Sequence, residues 1–264
     1  MTLENAISTD PGLSSSAPLF QFASVQSTMD VAAQIWATQK DQFTTKTQRP
    51  LLAVIQAEEQ RAGRGRRGRT WLSPLGGLYV SYLVRVPEGQ LPQSHQLSLI
   101  AGLALGRVLE ELGVDYQLKW PNDVFIRTQK MAGILIEHVE PGIYCVGMGV
   151  NLSQPNGLAS FGVDVTVMEM GARLTQSLEK HLNLWMDQGF DALRTAWLER
   201  SWTKGVSVRV VKGDKVYKGC YQGVNEEGFL LCQLEDGSSE IFSAGDVSLQ
   251  QTIRDDDQIY KGQR

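Results

Sequence analysis

Tyr116-Gln117-Leu118-Lys119-Trp120-Pro121-Asn122-Asp123 and, further on, Lys130-Met131-Ala132-Gly133-Ile134-Leu135-Ile136-Glu137 decide how this chain is read. Pro121 crowds the backbone of Trp120 and keeps it extended. Asn122 and Asp123 favour a turn, because their short side chains bond the local backbone. Tyr116 to Trp120 therefore reads as a strand stopped by a turn. Lys130 stands at the mouth of a second, apolar strand over Met131 to Val139, and Ile143 to Val150 reads as a third. A lysine at a strand mouth is ordinarily solvated. Gly133 offers no side chain, which either leaves room for a ligand against the strand or marks a simple bulge.

Working towards the N-terminus, Leu97, Ile100, Ala101, Ala104, Leu105, Val108 and Leu112 recur at helical spacing and predict a helix from about Ser94 to Leu112. Gly77 to Val86 alternates and is rich in Tyr and Val, and Leu51 to Ala57 is an apolar run of strand length. Ser27-Thr28-Met29-Asp30 reads as a helix start, with Ser27 as cap and Asp30 near the positive end of the helix dipole. Towards the C-terminus, helices are expected near Gly171–Gln188 and Phe190–Thr203. After Gly205 the pattern shortens. Val206–Val211, Val216–Val224, Phe229–Leu234 and Glu240–Phe242 are separated by turn residues, which suggests a small antiparallel barrel. The organisation expected is a disordered segment over 1–18, a catalytic domain over 19–204, a barrel over 205–252 and a loose tail over 253–264.

Composition narrows the function. The 264 residues are 42% hydrophobic and 20% charged, as in an ordinary globular protein. The net charge of -4 argues against a general polyanion binder, so any phosphate site must be local. No apolar run approaches a membrane span. The three cysteines form no paired motif, and His95, His138 and His181 are scattered, so no metal site is expected. The N-terminus lacks the basic cap and apolar stretch of a signal peptide, and a cytoplasmic protein is expected.

Between two of the strands lies Arg61-Ala62-Gly63-Arg64-Gly65-Arg66-Arg67-Gly68-Arg69. Glycine lets a backbone approach an anion, and arginine supplies a fork of donors suited to phosphate. The segment alone admits three readings: a cover for a phosphate-bearing ligand, a nucleic-acid contact, or a solvated loop. Its place inside a globular domain, not in a tail, favours the first. Like charges and glycines together predict that it is not rigid when empty.

Taken in order, STMD (27–30), GRGRRGR (63–69), KWPND (119–123), KMAGILIE (130–137) and GMGVN (147–151) resemble the biotin–protein ligase family, over roughly residues 20–250. The glycine–arginine run alone is weak; the five together are specific. The resemblance implies an α+β fold: a catalytic domain like that of class II aminoacyl-tRNA synthetases, with a mixed sheet and flanking helices, then a small SH3-like barrel. About 20 residues precede the catalytic region, too few for the DNA-binding domain that some members carry. A ligase that binds neither DNA nor membrane is therefore expected, as monomer or homodimer.

The implied chemistry joins biotin to AMP using ATP, then passes biotin to a lysine of the biotin carboxyl carrier protein of acetyl-CoA carboxylase. By resemblance Ser27, Thr28 and Gln60 hold biotin's ureido ring, while Gly63 and Gly133 line the slot for its ring and tail. Lys130 bridges carboxylate and α-phosphate. Arg64, Arg66, Arg67 and Arg69 close over the intermediate, with Arg64 and Arg66 on phosphate or carbonyl oxygens. Trp71 stacks on adenine, Asn122 and Asn151 serve the nucleotide, and Asp123 orients or deprotonates the incoming lysine. Bland readings stand beside these: Ser27 and Thr28 as helix caps, Trp71 as strand packing, Asp123 as a turn cap. Magnesium is expected with ATP, carried by its phosphates. The stretch Ser73–Tyr79 departs from some members in its paired glycines, Gly76 and Gly77, which alters how Trp71 is presented. A lipoate–protein ligase or acyl transferase of the same fold is the nearest alternative, and the polar trio favours biotin over it. A nucleic-acid-binding protein using the arginine loop is the other.

Overall fold

The computed structural model describes residues 17–44, 49–86 and 94–250. The expected loose segments at either end fall almost wholly outside these residues. Seven strands form one sheet: β1 (Leu19–Val25), β2 (Leu51–Gln60), β3 (Gly77–Arg85), β4 (Gln117–Lys119), β5 (Asp123–Ile126), β6 (Gln129–Glu140) and β7 (Ile143–Asn151). Their order is β1-β2-β3-β7-β6-β5-β4. Only β1 and β2 run parallel; every other pairing is antiparallel. Such a connection between β1 and β2 needs a crossover, and α1 (Thr28–Thr44) supplies it.

Side-chain alternation sorts the two faces of the sheet. Leu78, Val80, Tyr82 and Val84 of β3 point into a large core with α2 (Ser94–Glu111) and α3 (Val167–Gln188). Leu83 joins Ile35, Trp36 and Ile55 beneath α1 on the opposite face. Each of these buried aliphatic or aromatic side chains stabilises the fold by about 1.5–3 kcal/mol relative to an exposed one. Helix α1 covers only part of its face. The remainder is left for the arginine segment and the C-terminal unit, and there the candidate site lies.

After α4 (Asp191–Arg200) come β8 (Ser207–Lys212), β9 (Lys215–Val224), β10 (Leu230–Leu234), β11 (Ser239–Phe242) and β12 (Asp246–Leu249). They form an antiparallel sheet in the order β11-β10-β9-β8-β12. Its outer strands do not pair, so the sheet is open and not a closed barrel. It is docked firmly. Val208, Val210, Leu230 and Phe242 share a continuous core with Trp120, Trp197 and Trp202, and the Trp120 indole donates to the Gly228 carbonyl at 3.0 Å.

Three strands escape the sequence reading. β1 lies next to the segment read as disordered. β5 begins at Asp123, which the reading placed in a turn. β12 is only four residues long. Tyr116–Trp120 shrinks to Gln117–Lys119, because Trp120 and Pro121 already turn. Helix α3 starts earlier than expected, at Val167, where the Thr166 hydroxyl accepts from the Glu169 amide and caps it.

Candidate active site

The floor of the site is a furrow made of missing side chains. Tyr79, Gly149, Gly133, Asp123 and Lys119 are successive cross-strand partners on β3, β7, β6, β5 and β4, so they share one face. Two residues along, Ser81 and Gly147 are partners on the same face. Met29 of α1 lies over Gly147, and the Trp71 indole lies over Gly133 and Gly149. A Cβ on Gly149 would come within 2.2 Å of the indole nitrogen, and one on Gly133 within 2.9 Å of the ring. Glycine at both positions is therefore a requirement of close approach.

A polar chain borders one end. The Thr28 amide and hydroxyl both donate to Gln60 Oε1, at 2.9 and 3.1 Å, and the Thr28 and Ser81 hydroxyls lie 2.8 Å apart. Gln60 Nε2 donates to Ser73 Oγ at 2.9 Å. These bonds fix which end of the Gln60 amide faces which way, since oxygen accepts and nitrogen donates. Ser27 does cap α1: its Oγ accepts from the Met29 amide at 3.3 Å. Ser27 and Thr28 are buried and also line the cavity, so capping and lining coexist.

The arginine segment prolongs β2 as a hairpin. Backbone bridges join Gln60 to Ser73 and Arg64 to Thr70, and Arg67 and Gly68 make the tip with left-handed backbones at φ 56° and 72°. The hairpin is tethered by carboxylates. Arg64 meets Asp30 at 2.6 Å and Glu137 at 3.1 Å. Burial works against its charge, but the bonds to Glu137 and Asp30 outweigh it and hold the pKa above its ordinary value. Asp246 of β12 takes Arg67 at 3.0 Å, Arg69 in a closer contact, and Arg66 at 4.0 Å. Arg66 is the most buried of the four, and burial lowers its pKa against the pull of Asp246. It also donates to Asn122 Oδ1 at 3.1 Å. The repulsion expected within the empty loop is thus offset by Asp30, Glu137 and Asp246, which the sequence reading did not pair with it.

Lys130 Nζ stands 2.7 Å from Asp123 Oδ1, as an ion pair and not a directed hydrogen bond, and 5.3 Å from the Trp71 ring centroid. Asp123 is therefore a counter-ion to Lys130. The Trp71 Nε1–H is buried without a partner, which marks a donor left for something else.

Eleven of the expected residues line one cavity of roughly 220 Å³: Ser27, Thr28, Gln60, Arg64, Arg66, Arg69, Trp71, Asn122, Asp123, Lys130 and Gly133. Three do not. Gly63 packs under the hairpin, where a Cβ would meet the Trp71 carbonyl at 2.4 Å, so it closes the hairpin instead of lining a slot. Arg67 points outward to Asp246 and the Val211 carbonyl. Asn151 lies on the furrow face of β7, two residues beyond Gly149, and donates to the Lys130 carbonyl at 3.2 Å without lining the cavity. Asn122 likewise donates to the Ile134 carbonyl, at 2.8 Å, while still facing the cavity. Residues missed in sequence are Met29, Asp30, Ser73, Ser81, Glu137, Gly147, Gly149 and Asp246. The alternation of Gly147-Met148-Gly149 in a strand was the available signal: glycines two apart clear one face.

No group of three metal-ligating side chains occurs among the described residues, and none of their helices is long and apolar enough to cross a membrane.

Known proteins resemble this chain along most of its length. A model of the biotin/lipoate A/B protein ligase family matches residues 21–153, and one of the biotin protein ligase C-terminal domain matches residues 203–250. A biotin–[acetyl-CoA-carboxylase] ligase of Mycobacterium tuberculosis is 33% identical over 236 residues, covering 83% of this chain and 88% of that protein. The bifunctional ligase/repressor BirA of Escherichia coli is 31% identical over 210 residues, covering 73% of this chain; the match spans only 65% of that relative's length. Among solved structures, a biotin protein ligase from Aquifex aeolicus in complex with biotin and ATP superposes with a TM-score of 0.71 at 26% identity, covering 88% of this chain and 98% of that one. With a family model over half its length and a one-third-identical relative covered nearly end to end, the chain belongs to the biotin/lipoate A/B protein ligase family.

Proposed function

We propose that the chain is an ATP-dependent biotin–protein ligase that makes biotinoyl-5′-AMP and transfers biotin to a lysine of a biotin carboxyl carrier domain. The observation that carries this reading is the meeting of Lys130, the arginine hairpin and the Thr28–Gln60 pair around one glycine-floored furrow. The Aquifex aeolicus relative's complex with biotin and ATP supports it. Ser27, Thr28 and Gln60 face the ureido ring, whose amides need buried partners. The ring and tail lie in the furrow, and Trp71 moves from the glycines to stack on adenine. At roughly 220 Å³ the cavity falls below the usual range of about 300–1,000 Å³ for small-molecule sites. The indole and the hairpin must therefore shift on binding.

In the first step a carboxylate oxygen of biotin attacks the α-phosphorus, the bond to the β-phosphate oxygen breaks, and pyrophosphate leaves with the electron pair. Both reactants are anions. Lys130 leaves Asp123 to bridge them, and Arg64 and Arg66 exchange carboxylate and amide partners for phosphate oxygens. In the second step the ε-amine of the acceptor attacks the anhydride carbonyl, its nitrogen gives up one proton, the bond to phosphate breaks, and AMP departs with the electron pair. Asp123, vacated by Lys130, faces the incoming amine. The closed hairpin excludes water that would hydrolyse the anhydride. Magnesium would enter as MgATP, where the phosphates would hold it and it would screen their charge.

The test is incubation with MgATP, labelled biotin and a carrier domain, scored for label on lysine, with a parallel arm containing lipoate. Label from biotin is expected. Transfer of lipoate alone, or of neither, would refute the reading.

A further inference from the structure

Lys119 belongs to the row that forms the furrow, yet none of the roles above uses it. It is the cross-strand partner of Asp123, which is in turn the partner of Gly133, so its side chain rises on the furrow's face at the end of the row. Strands lie about 4.8 Å apart, which sets Lys119 roughly 10 Å beyond Gly133, about the reach of a chain of phosphates. Its Nζ lies over the Phe125 ring, 5.3 Å from the centroid. Asp123 faces it across the strand pair, but that carboxylate is engaged by Lys130 at 2.7 Å. Among the described residues Lys119 has no ion pair within 4.0 Å. Burial lowers its pKa, and the charges of Lys130 and Arg69 add to that against Asp123 and Asp246. A half-buried ammonium next to other cations, without a carboxylate of its own, is unfavourable unless an anion arrives.

We propose that Lys119 binds the β- and γ-phosphates of the nucleotide and holds the pyrophosphate as it leaves. The inference rests on the adenylating reading above and deepens it. Lys130 and Arg66 serve the α-phosphate, where the bond forms. Lys119, farther along the row, meets the charge that appears when the bond between the α-phosphorus and the bridging oxygen breaks and both electrons go to pyrophosphate. Arg69, now held by Asp246, borders the same end.

The experiment compares inorganic pyrophosphate with AMP as competitors of ATP on the whole protein, in parent, Lys119→Met and Lys119→Arg. Methionine keeps an unbranched apolar stem of similar length and removes the charge. Pyrophosphate inhibition is expected to weaken about tenfold in Lys119→Met while AMP inhibition shifts less than twofold, and Lys119→Arg is expected to restore pyrophosphate binding. Equal shifts for the two competitors would show a general structural effect and overturn the proposal. So would no shift for either, or a change confined to the KM of the acceptor domain. Thermal melts exclude unfolding, and Lys119→Gln replaces Lys119→Met if that variant melts early. A parent that forms no biotinoyl-AMP would instead refute the adenylating reading itself.

Discussion

Gly149 and Gly133, on the floor of the cavity, lie in a sheet whose covering indole leaves no space for a methyl group. Arg64, Arg67 and Arg69, in its cover, are held by ion pairs in which the arginine side chains remain 37%, 38% and 65% exposed. The floor is fixed by packing, which tolerates little displacement. The cover is fixed by charges that water screens, each pair contributing about 0–1 kcal/mol. A nucleoside triphosphate carries more charge than any one of those carboxylates. The hairpin can therefore exchange Asp30, Glu137 and Asp246 for a nucleotide without disturbing the sheet below. Rigidity beneath and exchangeability above suit the reaction proposed above, in which a reactive anhydride is held and its products are then released.

The largest effect on this contrast is expected where the two regions meet. Lys130 rises from the floor strand and, in the proposed reaction, bridges the two anions beneath the cover. Lys130→Ala should lower the rate of biotinoyl-AMP formation roughly a hundred- to thousandfold, the range found when one donor to a developing charge is removed. Pyrophosphate release in the presence of biotin measures it, and a normal rate would remove Lys130 from the chemistry.

Next is the floor itself. Gly149→Ala places a methyl group where the Trp71 indole now lies. Either the indole leaves or the strands part, at a cost of about 1–3 kcal/mol for overpacking. The expected outcome is a lower melting midpoint together with altered tryptophan fluorescence. Unchanged fluorescence and stability would mean that Trp71 does not rest on the furrow in solution. Arg66→Ala comes third. It removes the most buried arginine of the cover, and hydrolytic loss of bound biotinoyl-AMP should rise about tenfold, as for one charge-assisted hydrogen bond of about 1.5 kcal/mol. Equal retention by mutant and parent would sever the hairpin from protection of the intermediate.

The same division explains what could be read from sequence. Strands β3, β6 and β7 and helix α2 were legible because apolar residues repeat along them, and repetition records burial. The glycine–arginine run and Lys130 were legible as chemistry because their residue types suit phosphate. Asp30, Glu137 and Asp246 were not legible as partners. Each is an ordinary acid in its own segment, and only the fold brings them to the hairpin; Asp246 and Arg67 are separated by 179 residues. Gly63 and Asn151 lie in the quoted motifs, and the structure shows them in local contacts that spacing alone did not announce, one closing the hairpin and the other donating to the Lys130 carbonyl. Motif spacing carries no record of side-chain direction. β5 was hidden for another reason: its four residues follow turn formers directly, and strand propensity over so short a stretch is outweighed by the turn signal.

The smallest expected effect isolates the cover's weakest tie. Asp246 accepts from Arg67 and Arg69 and lies near Arg66, with its side chain 31% exposed. Asp246→Asn keeps shape and hydrogen-bonding capacity but removes the charge. The hairpin would then rest on Asp30, Glu137, Asn122 and the carbonyls of Val211 and Gly245. Opening should become easier by about 1 kcal/mol, or roughly fivefold in hydrogen-exchange rate over residues 64–70. Salt should loosen the parent in the same direction and the variant less, because screening acts on the pair that the variant lacks. Exchange that is unchanged by both mutation and salt would mean that packing, not charge, holds the hairpin, and floor and cover would then be a single rigid body.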